Sequence, residues 1–155
     1  MKIAIASDHR GFEAKEKIKP ILTQLGHKFK DFGTNDSNPV DYPDKAYAAA
    51  MAVSKKQADR GILICATGLG MSIAANKIKG VRAVLCHDDL SAQISRDHNN
   101  SNVLCLSGDQ INEVLLRKIV EVWLNTEFSG GRHERRVRKI TAIEEGKDPR
   151  ELNNG

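Results

Sequence analysis

Short apolar runs alternate with amphipathic stretches along almost the whole chain. Ile3 to Ala6, Ile62 to Ile64, Val81 to Cys86 and Val103 to Leu106 have the length and branching of buried strands. Lys28-Phe29-Lys30-Asp31-Phe32 alternates polar and apolar positions, which predicts a short strand near a sheet edge. Between these runs, Phe12, Ile18, Ile21, Leu22 and Leu25 are spaced among lysines and acids. That spacing predicts a helix closed by Gly26, with Pro20 as a weak point. Asp44 is the expected cap of a second helix reaching Lys56, packed through Ala46, Ala49, Ala50 and Val53. Met71 to Lys77 reads as a third helix. Asp88 or Asp89 should cap a fourth that turns Leu90, Ala92 and Ile94 inward. Ile111 to Asn125 and a basic segment from His133 to Glu145 complete the helices.

Five strands alternating with helices imply an α/β fold, a parallel sheet covered on both faces. The expected strand order is 2-1-3-4-5. Ligands of such sheets bind beyond the C-terminal strand ends, where the order reverses. Asp8 and His9 follow the first strand, and Cys65 and Thr67 follow the third, so these four are expected at one cleft. Residues 1–145 are expected to form one domain, and 146–155 a mobile tail.

The stretch from Gly61 to Lys77, GILICATGLGMSIAANK, carries the most chemistry. It reads as strand, glycine loop and helix start, an arrangement that aims backbone N–H groups at one point and suits an anion or a developing oxyanion. A thiol placed there, as Cys65 is, tends towards a lowered pKa and can act as base or nucleophile. A phosphatase-type loop would want an Arg, and Gly68 to Lys77 contains none. Gly68 and Gly70 also fit part of a dinucleotide fingerprint, but the loop follows the third strand and no second domain is available for a substrate. Cys86 and Cys105 read as small buried hydrophobes. His27 and His133 read as helix-end histidines, and His98 admits the same reading. His9, between Asp8 and Arg10-Gly11 at a strand end, reads as functional. Arg132 and Arg136 lie four apart and share one face if the helix begins early enough, as ligands or as a solvated surface.

Composition narrows the choice. The chain has 155 residues, 40% of them hydrophobic, and a formal net charge of +4, enough for one core. Five basic residues against one acid between Arg132 and Lys139 favour a small anionic ligand. No interleaved aromatics or known motif point to nucleic acid. Three isolated cysteines without a C-x-x-C pair suggest reduced thiols and a cytoplasmic protein. The first strand is too short for a signal-peptide core, and no run approaches the roughly 18 apolar residues of a membrane span.

Taken together, Asp8-His9-x-Gly11, Cys65-x-Thr67-Gly68-x-Gly70-x-Ser72 to Lys77, Ser91-Ala92-Gln93, His98-Asn99, Asn102 to Leu104 and Gly130-Gly131-Arg132-His133-x-x-Arg136 resemble the ribose-5-phosphate isomerase B family and its galactose-6-phosphate isomerase relatives. The resemblance runs from about residue 2 to 145. It implies a Rossmann-like three-layer α/β/α sandwich. It also implies aldose–ketose isomerisation of a sugar phosphate through a cis-enediolate, with no metal or organic cofactor. By that resemblance Cys65 is the base, Thr67 assists proton traffic, and His98 opens the sugar ring with Asp8. His9, Arg132 and Arg136 hold the phosphate, Asn99 and Tyr42 line the pocket, and N–H groups from Ala66 through Gly68 to Gly70 stabilise the enediolate. It further implies a homodimer with shared sites, a tetramer being the larger alternative.

Three positions depart from the family pattern. Ala66 replaces a glycine, Arg10 a small residue, and Asp109 stands in a turn where many members carry Arg. They leave a six-carbon substrate such as allose or galactose 6-phosphate open. A non-catalytic sugar-phosphate or nucleotide sensor is the reading from a different class.

Overall fold

A computed structural model of the chain describes residues 1–152. Five parallel strands, β1 (Lys2–Ser7), β2 (Lys28–Asp31), β3 (Arg60–Cys65), β4 (Ala83–Leu85) and β5 (Val103–Ser107), form a single sheet. Six helices accompany them: α1 (Phe12–Gln24), α2 (Tyr42–Ser54), α3 (Leu69–Ala75), α4 (Asp89–Asn99), α5 (Glu113–Asn125) and α6 (Arg132–Glu144). Alternation along the strands assigns the layers. Ile3, Ile5, Ile62, Ile64, Leu104 and Leu106 pack against α1, α4 and α5. Ala4, Ala6, Leu63, Cys65, Val103 and Cys105 pack against the alanine-rich α2 and against α3. Ile62, Leu63 and Ile64 are wholly buried; burial on this scale is worth about 1.5–3 kcal/mol per large aliphatic side chain. The α/β/α sandwich expected from the sequence is present.

The sheet order is β2-β1-β3-β5-β4, not 2-1-3-4-5. Every residue of β5 is buried, whereas β4 has only three residues, two of them part-exposed. The wholly buried strand takes the interior and the short one the edge, because only an interior strand is covered on both faces and paired on both sides. Val81 and Arg82 stay outside β4 because Arg82 N–H donates to Asn102 Oδ1 at 2.8 Å. The exchange leaves β1 and β3 adjacent and sets the end of β5, rather than that of β4, beside Cys65.

Two local expectations change and one alternative is decided. Asp44 lies in the first turn of α2, whose N-cap position is Asp41 and whose start contains Pro43; proline suits that turn because its missing N–H has no helical partner there. Asp88, not Asp89, caps α4 by accepting from Ser91 N–H at 2.6 Å. Leu90 and Ile94 face solvent, 61% and 39% exposed, while Ala92, Ser95 and Arg96 are buried. Pro20 is tolerated because it lies on the exposed side of α1, where the carbonyl it leaves unbonded can meet water. After α6 the chain folds back, with Lys147 N–H donating to Ala142 O and Lys139 Nζ to Pro149 O, both at 2.9 Å. Residues 153–155 of the expected tail lie outside the described residues.

Candidate active site

At the C-terminal edge of the sheet the turns after β1, β3 and β5 meet at backbone level. Asp8 is 6% exposed, and its Oδ1 accepts from the N–H groups of Arg10 at 3.0 Å and Gly11 at 2.9 Å. A Cβ on Gly11 would lie 2.5 Å from Ile64 O, so only glycine lets this turn reach β3. His9 Nδ1 accepts from Val40 N–H at 3.3 Å. A backbone amide can only donate, so the ring proton sits on Nε2, which remains a donor.

Cys65 ends β3, 5% exposed, with Sγ accepting from Gly68 N–H at 3.1 Å. Gly68 has φ +78°, and a Cβ there would lie 2.5 Å from Leu85 Cδ1, so this turn requires glycine. Leu69 N–H donates to Thr67 Oγ1 at 3.4 Å. Among the described residues the N–H groups of Ala66, Thr67 and Gly70 have no acceptor. A Cβ on Gly70 would meet the Tyr42 ring at 2.5 Å, which brings Tyr42 from α2 onto the loop. Asp8, His9, Tyr42, Cys65, Ala66, Thr67, Gly68 and Gly70 are therefore gathered at this edge.

The departures from the family pattern have physical outcomes here. Ala66 is not among the residues with positive φ, so a side chain is accommodated. Its carbonyl accepts from Ser107 Oγ at 2.6 Å and Asp109 N–H at 3.3 Å, which fastens the loop to the turn after β5. Asp109 does not face the site as a lone anion. It pairs with Arg10 across the rim, and this contact holds the Arg10 guanidinium above its ordinary pKa.

His98, Asn99, Arg132 and Arg136 are not at this edge. They form a second cluster at the opposite end of the sheet. Arg82 Nε donates to Asn99 O and Asn100 O at 3.2 and 2.9 Å just before β4, and Gly61 N–H donates to Asn102 O at 2.8 Å. Gly61 pairs with Val103, and Cys65 with Ser107. The clusters are thus separated by four strand steps, about 13 Å along the sheet. In the second cluster His98 and His133 stack, their ring centroids 4.0 Å apart and planes 8° apart. Asp97 Oδ2 lies 3.4 Å from His98 Nε2. Arg132 Nε donates to His133 Nε2 at 3.4 Å. Removal from water, with positive charge at His98, Arg132 and Arg136, holds His133 below the usual histidine pKa, against a smaller opposing pull from Asp97.

Comparison with known proteins places this arrangement. Residues 3–140 match the family described as Ribose/Galactose Isomerase. The chain belongs to that family. Ribose-5-phosphate isomerase B of Escherichia coli is 47% identical over 93% of this chain and 97% of its own. The solved ribose-5-phosphate isomerase B of Clostridium thermocellum superposes with a TM-score of 0.93 at 47% identity, covering 94% of this chain and 99% of that one. That of Mycoplasma genitalium, solved with bound ribulose-5-phosphate, gives 0.88 at 44% identity, covering 93% and 96%. The chain is an isomerase.

Within this isomerase, His133, which read alone is a helix-end histidine, also stacks on His98. The available signal was its place directly after Arg132, on the face one turn from Arg136. Cys86 and Cys105 behave as expected of buried hydrophobes: burial raises both thiols above their ordinary pKa, and for Cys105 the shift is large. Cys65 alone of the three lies at the end of β3, where the glycine loop begins. No described helix is long and apolar enough to cross a membrane.

Proposed function

We propose that this isomerase interconverts ribose 5-phosphate and ribulose 5-phosphate without metal or organic cofactor, with Cys65 as the base. The observation that carries the reading is Cys65 itself, whose sulfur accepts from Gly68 N–H in a loop that still offers the N–H groups of Ala66, Thr67 and Gly70. The bound ribulose-5-phosphate of the Mycoplasma genitalium relative supports a five-carbon sugar phosphate as substrate.

In the opened aldose, the Cys65 thiolate takes the proton from C2. The C–H electron pair becomes the C1–C2 double bond, and the carbonyl pair moves onto O1. The free N–H groups of the loop stabilise that oxyanion; one such donor is worth about 2.7–4 kcal/mol where it has been measured. Thr67 carries a proton from O2 to O1. The Cys65 thiol then protonates C1 as O2 becomes the carbonyl. One base on one face suffices, because the enediolate is planar and both carbons lie within its reach.

Ring opening and phosphate binding need the second cluster. His98 paired with Asp8 would open the ring, Asn99 and Tyr42 would line the pocket, and His9, Arg132 and Arg136 would hold the phosphate. A single chain keeps Asp8 and His98 at opposite ends of its sheet, so the complete site takes its second cluster from another copy. A homodimer gives two such sites by symmetry. The reading also places the chain in the cytoplasm, as one domain over residues 1–145.

The test is isomerisation of ribose 5-phosphate in EDTA, with wild type beside Cys65→Ala and with allose and galactose 6-phosphates as competing substrates. Turnover in EDTA that Cys65→Ala loses, with kcat/KM highest on the five-carbon sugar, is the expected result. Full activity in the variant would remove the base; a higher kcat/KM on a six-carbon sugar would reassign the substrate. Binding without turnover in wild type would point to a sensor.

A further inference from the structure

Two buried arginines lie close to one tryptophan behind the second cluster. Arg60 and Arg96 are 7% and 5% exposed, and their guanidinium carbons stand 5.4 and 5.9 Å from the Trp123 ring centroid. Neither touches a carboxylate among the described residues. Carbonyls satisfy them instead. Arg60 Nη1 donates to Trp123 O and Leu124 O at 2.9 Å, at the C-terminal end of α5. Arg96 Nε donates to Thr126 O at 3.2 Å, while its Nη1 reaches Asn100 Oδ1 at 2.9 Å and Ser101 O. The negative end of α5 thus takes the place of a counter-ion for both. Burial, and the nearby charge of Arg60, hold Arg96 down to about 10.

The acceptors of Arg96 lie on two separate segments. Asn100 and Ser101 form the turn directly after His98 and Asn99, with Asn100 held at φ +47°. Thr126 begins the connection from α5 to Arg132. Close by, Ser129 N–H donates to Asp97 O at 3.2 Å and Ser129 Oγ to the Asp97 carboxylate, joining the same two segments again.

We propose that Arg96 is a positioning residue of the sugar-phosphate site, fixing the α4 end that carries His98 and Asn99 against the connection that carries Arg132 and Arg136. The inference rests on the functional reading above. It needs arginine in particular, because three acceptors on two segments require the donors of a rigid fork; a lysine ammonium keeps the charge but cannot span them. Arg96 touches no reacting atom in this arrangement, so its loss should act on binding geometry and leave the Cys65 loop alone.

The experiment compares wild type, Arg96→Lys and Asn100→Gly. The last keeps the left-handed backbone and removes only the acceptor. Inorganic phosphate binding by calorimetry, KM and kcat for ribose 5-phosphate, the alkylation rate of Cys65 and the melting temperature are measured on each. Arg96→Lys should weaken phosphate binding and raise KM about tenfold, by analogy with loss of a charge-assisted hydrogen bond. Asn100→Gly should do so roughly two- to threefold. Cys65 alkylation should not change in either. Unchanged phosphate affinity and KM, with only a lowered melting temperature, would overturn the proposal, since that is what a merely structural arginine gives. If Arg96→Lys does not fold, Asn100→Gly decides alone by the same criteria. If wild type isomerises no sugar phosphate, the functional reading fails, and phosphate affinity across the three proteins still tests the positioning role.

Discussion

The two edges of the sheet hold their polar groups by opposite means. At the C-terminal edge Gly11, Gly68, Gly70 and Gly108 let backbone approach backbone or side chain at distances that a Cβ would reduce to 2.8 Å or less. Cys65 and Asp8 are buried there, and each is fixed by N–H donors within three residues of itself. At the N-terminal edge Arg132 and Arg136 are exposed, and position is set by side chains reaching across the sequence, such as Arg96 to Thr126 and Trp123 Nε1 to Ser101 Oγ at 2.9 Å. A proton transfer tolerates little misplacement, which suits a site built from backbone. A charge that grips a phosphate tolerates more, which suits long side chains on an exposed helix. The difference teaches that the proposed chemistry and the proposed phosphate binding are held by separate devices at separate ends of one sheet.

Cys65→Ala separates them most sharply. It should lower kcat by about 10²–10⁴, the usual range for removing a positioned base, while phosphate affinity measured by calorimetry is unchanged. A parallel loss of phosphate affinity would show that the edges are not independent. Arg136→Ala should do the converse, raising KM roughly 10–100-fold with a smaller effect on kcat, as expected for a lost charge-assisted contact. Mixing the two variants sharpens the point. If the sites are shared between two copies as proposed, a mixed dimer would have one site carrying both defects and one carrying neither, so random exchange should restore roughly a quarter of wild-type activity. No recovery after proven exchange would mean that each site is built within one chain.

Most of the first edge was legible in the sequence, because its parts are local. A strand, a glycine loop and a cysteine lie within Gly61 to Gly70, and Asp8-His9 ends an obvious strand. The second edge was not. The hydrophobic pattern of α4 pointed to Leu90 and Ile94, yet the buried stripe is Ala92, Ser95 and Arg96, two of them polar. Those polar groups are stable inside because Ser95 Oγ donates to Ala92 O and bonds Ser101 Oγ, while Asn100, Ser101 and the distant Thr126 accept from Arg96, and no hydrophobic period reveals that. The strand order failed for a related reason. Which of β4 and β5 is interior depends on which of them the rest of the chain covers along its whole length, a long-range fact. Lys15, wholly buried with Nζ on Asp31 at 2.5 Å, was invisible for the same reason.

A smaller effect is expected of the rim. Arg10 and Asp109 are both substantially exposed, so screening should make their coupling slight. Arg10→Ala, Asp109→Ala and the double variant should differ little in melting temperature, and any coupling should vanish in high salt. Coupling that survives salt would mean that the pair is held more tightly than its exposure implies.

The slightest effect, and the one that reads the second edge alone, is acid sensitivity through His133. Its folded-state pKa lies below the ordinary histidine value, chiefly from loss of water and then from His98, Arg132 and Arg136. The unfolded chain therefore binds the proton more readily, and stability rises with pH across that window. The contribution is complete above the unfolded value, about 6.5, and is lost as pH falls from there through the folded value. Denaturant unfolding of wild type and His133→Phe, measured between neutral and mildly acidic pH, checks this. The aromatic variant can still stack on His98 but has no proton to bind, so its stability should fall less steeply with acid. Equal slopes in the two proteins would show that the stacked pair carries no linkage.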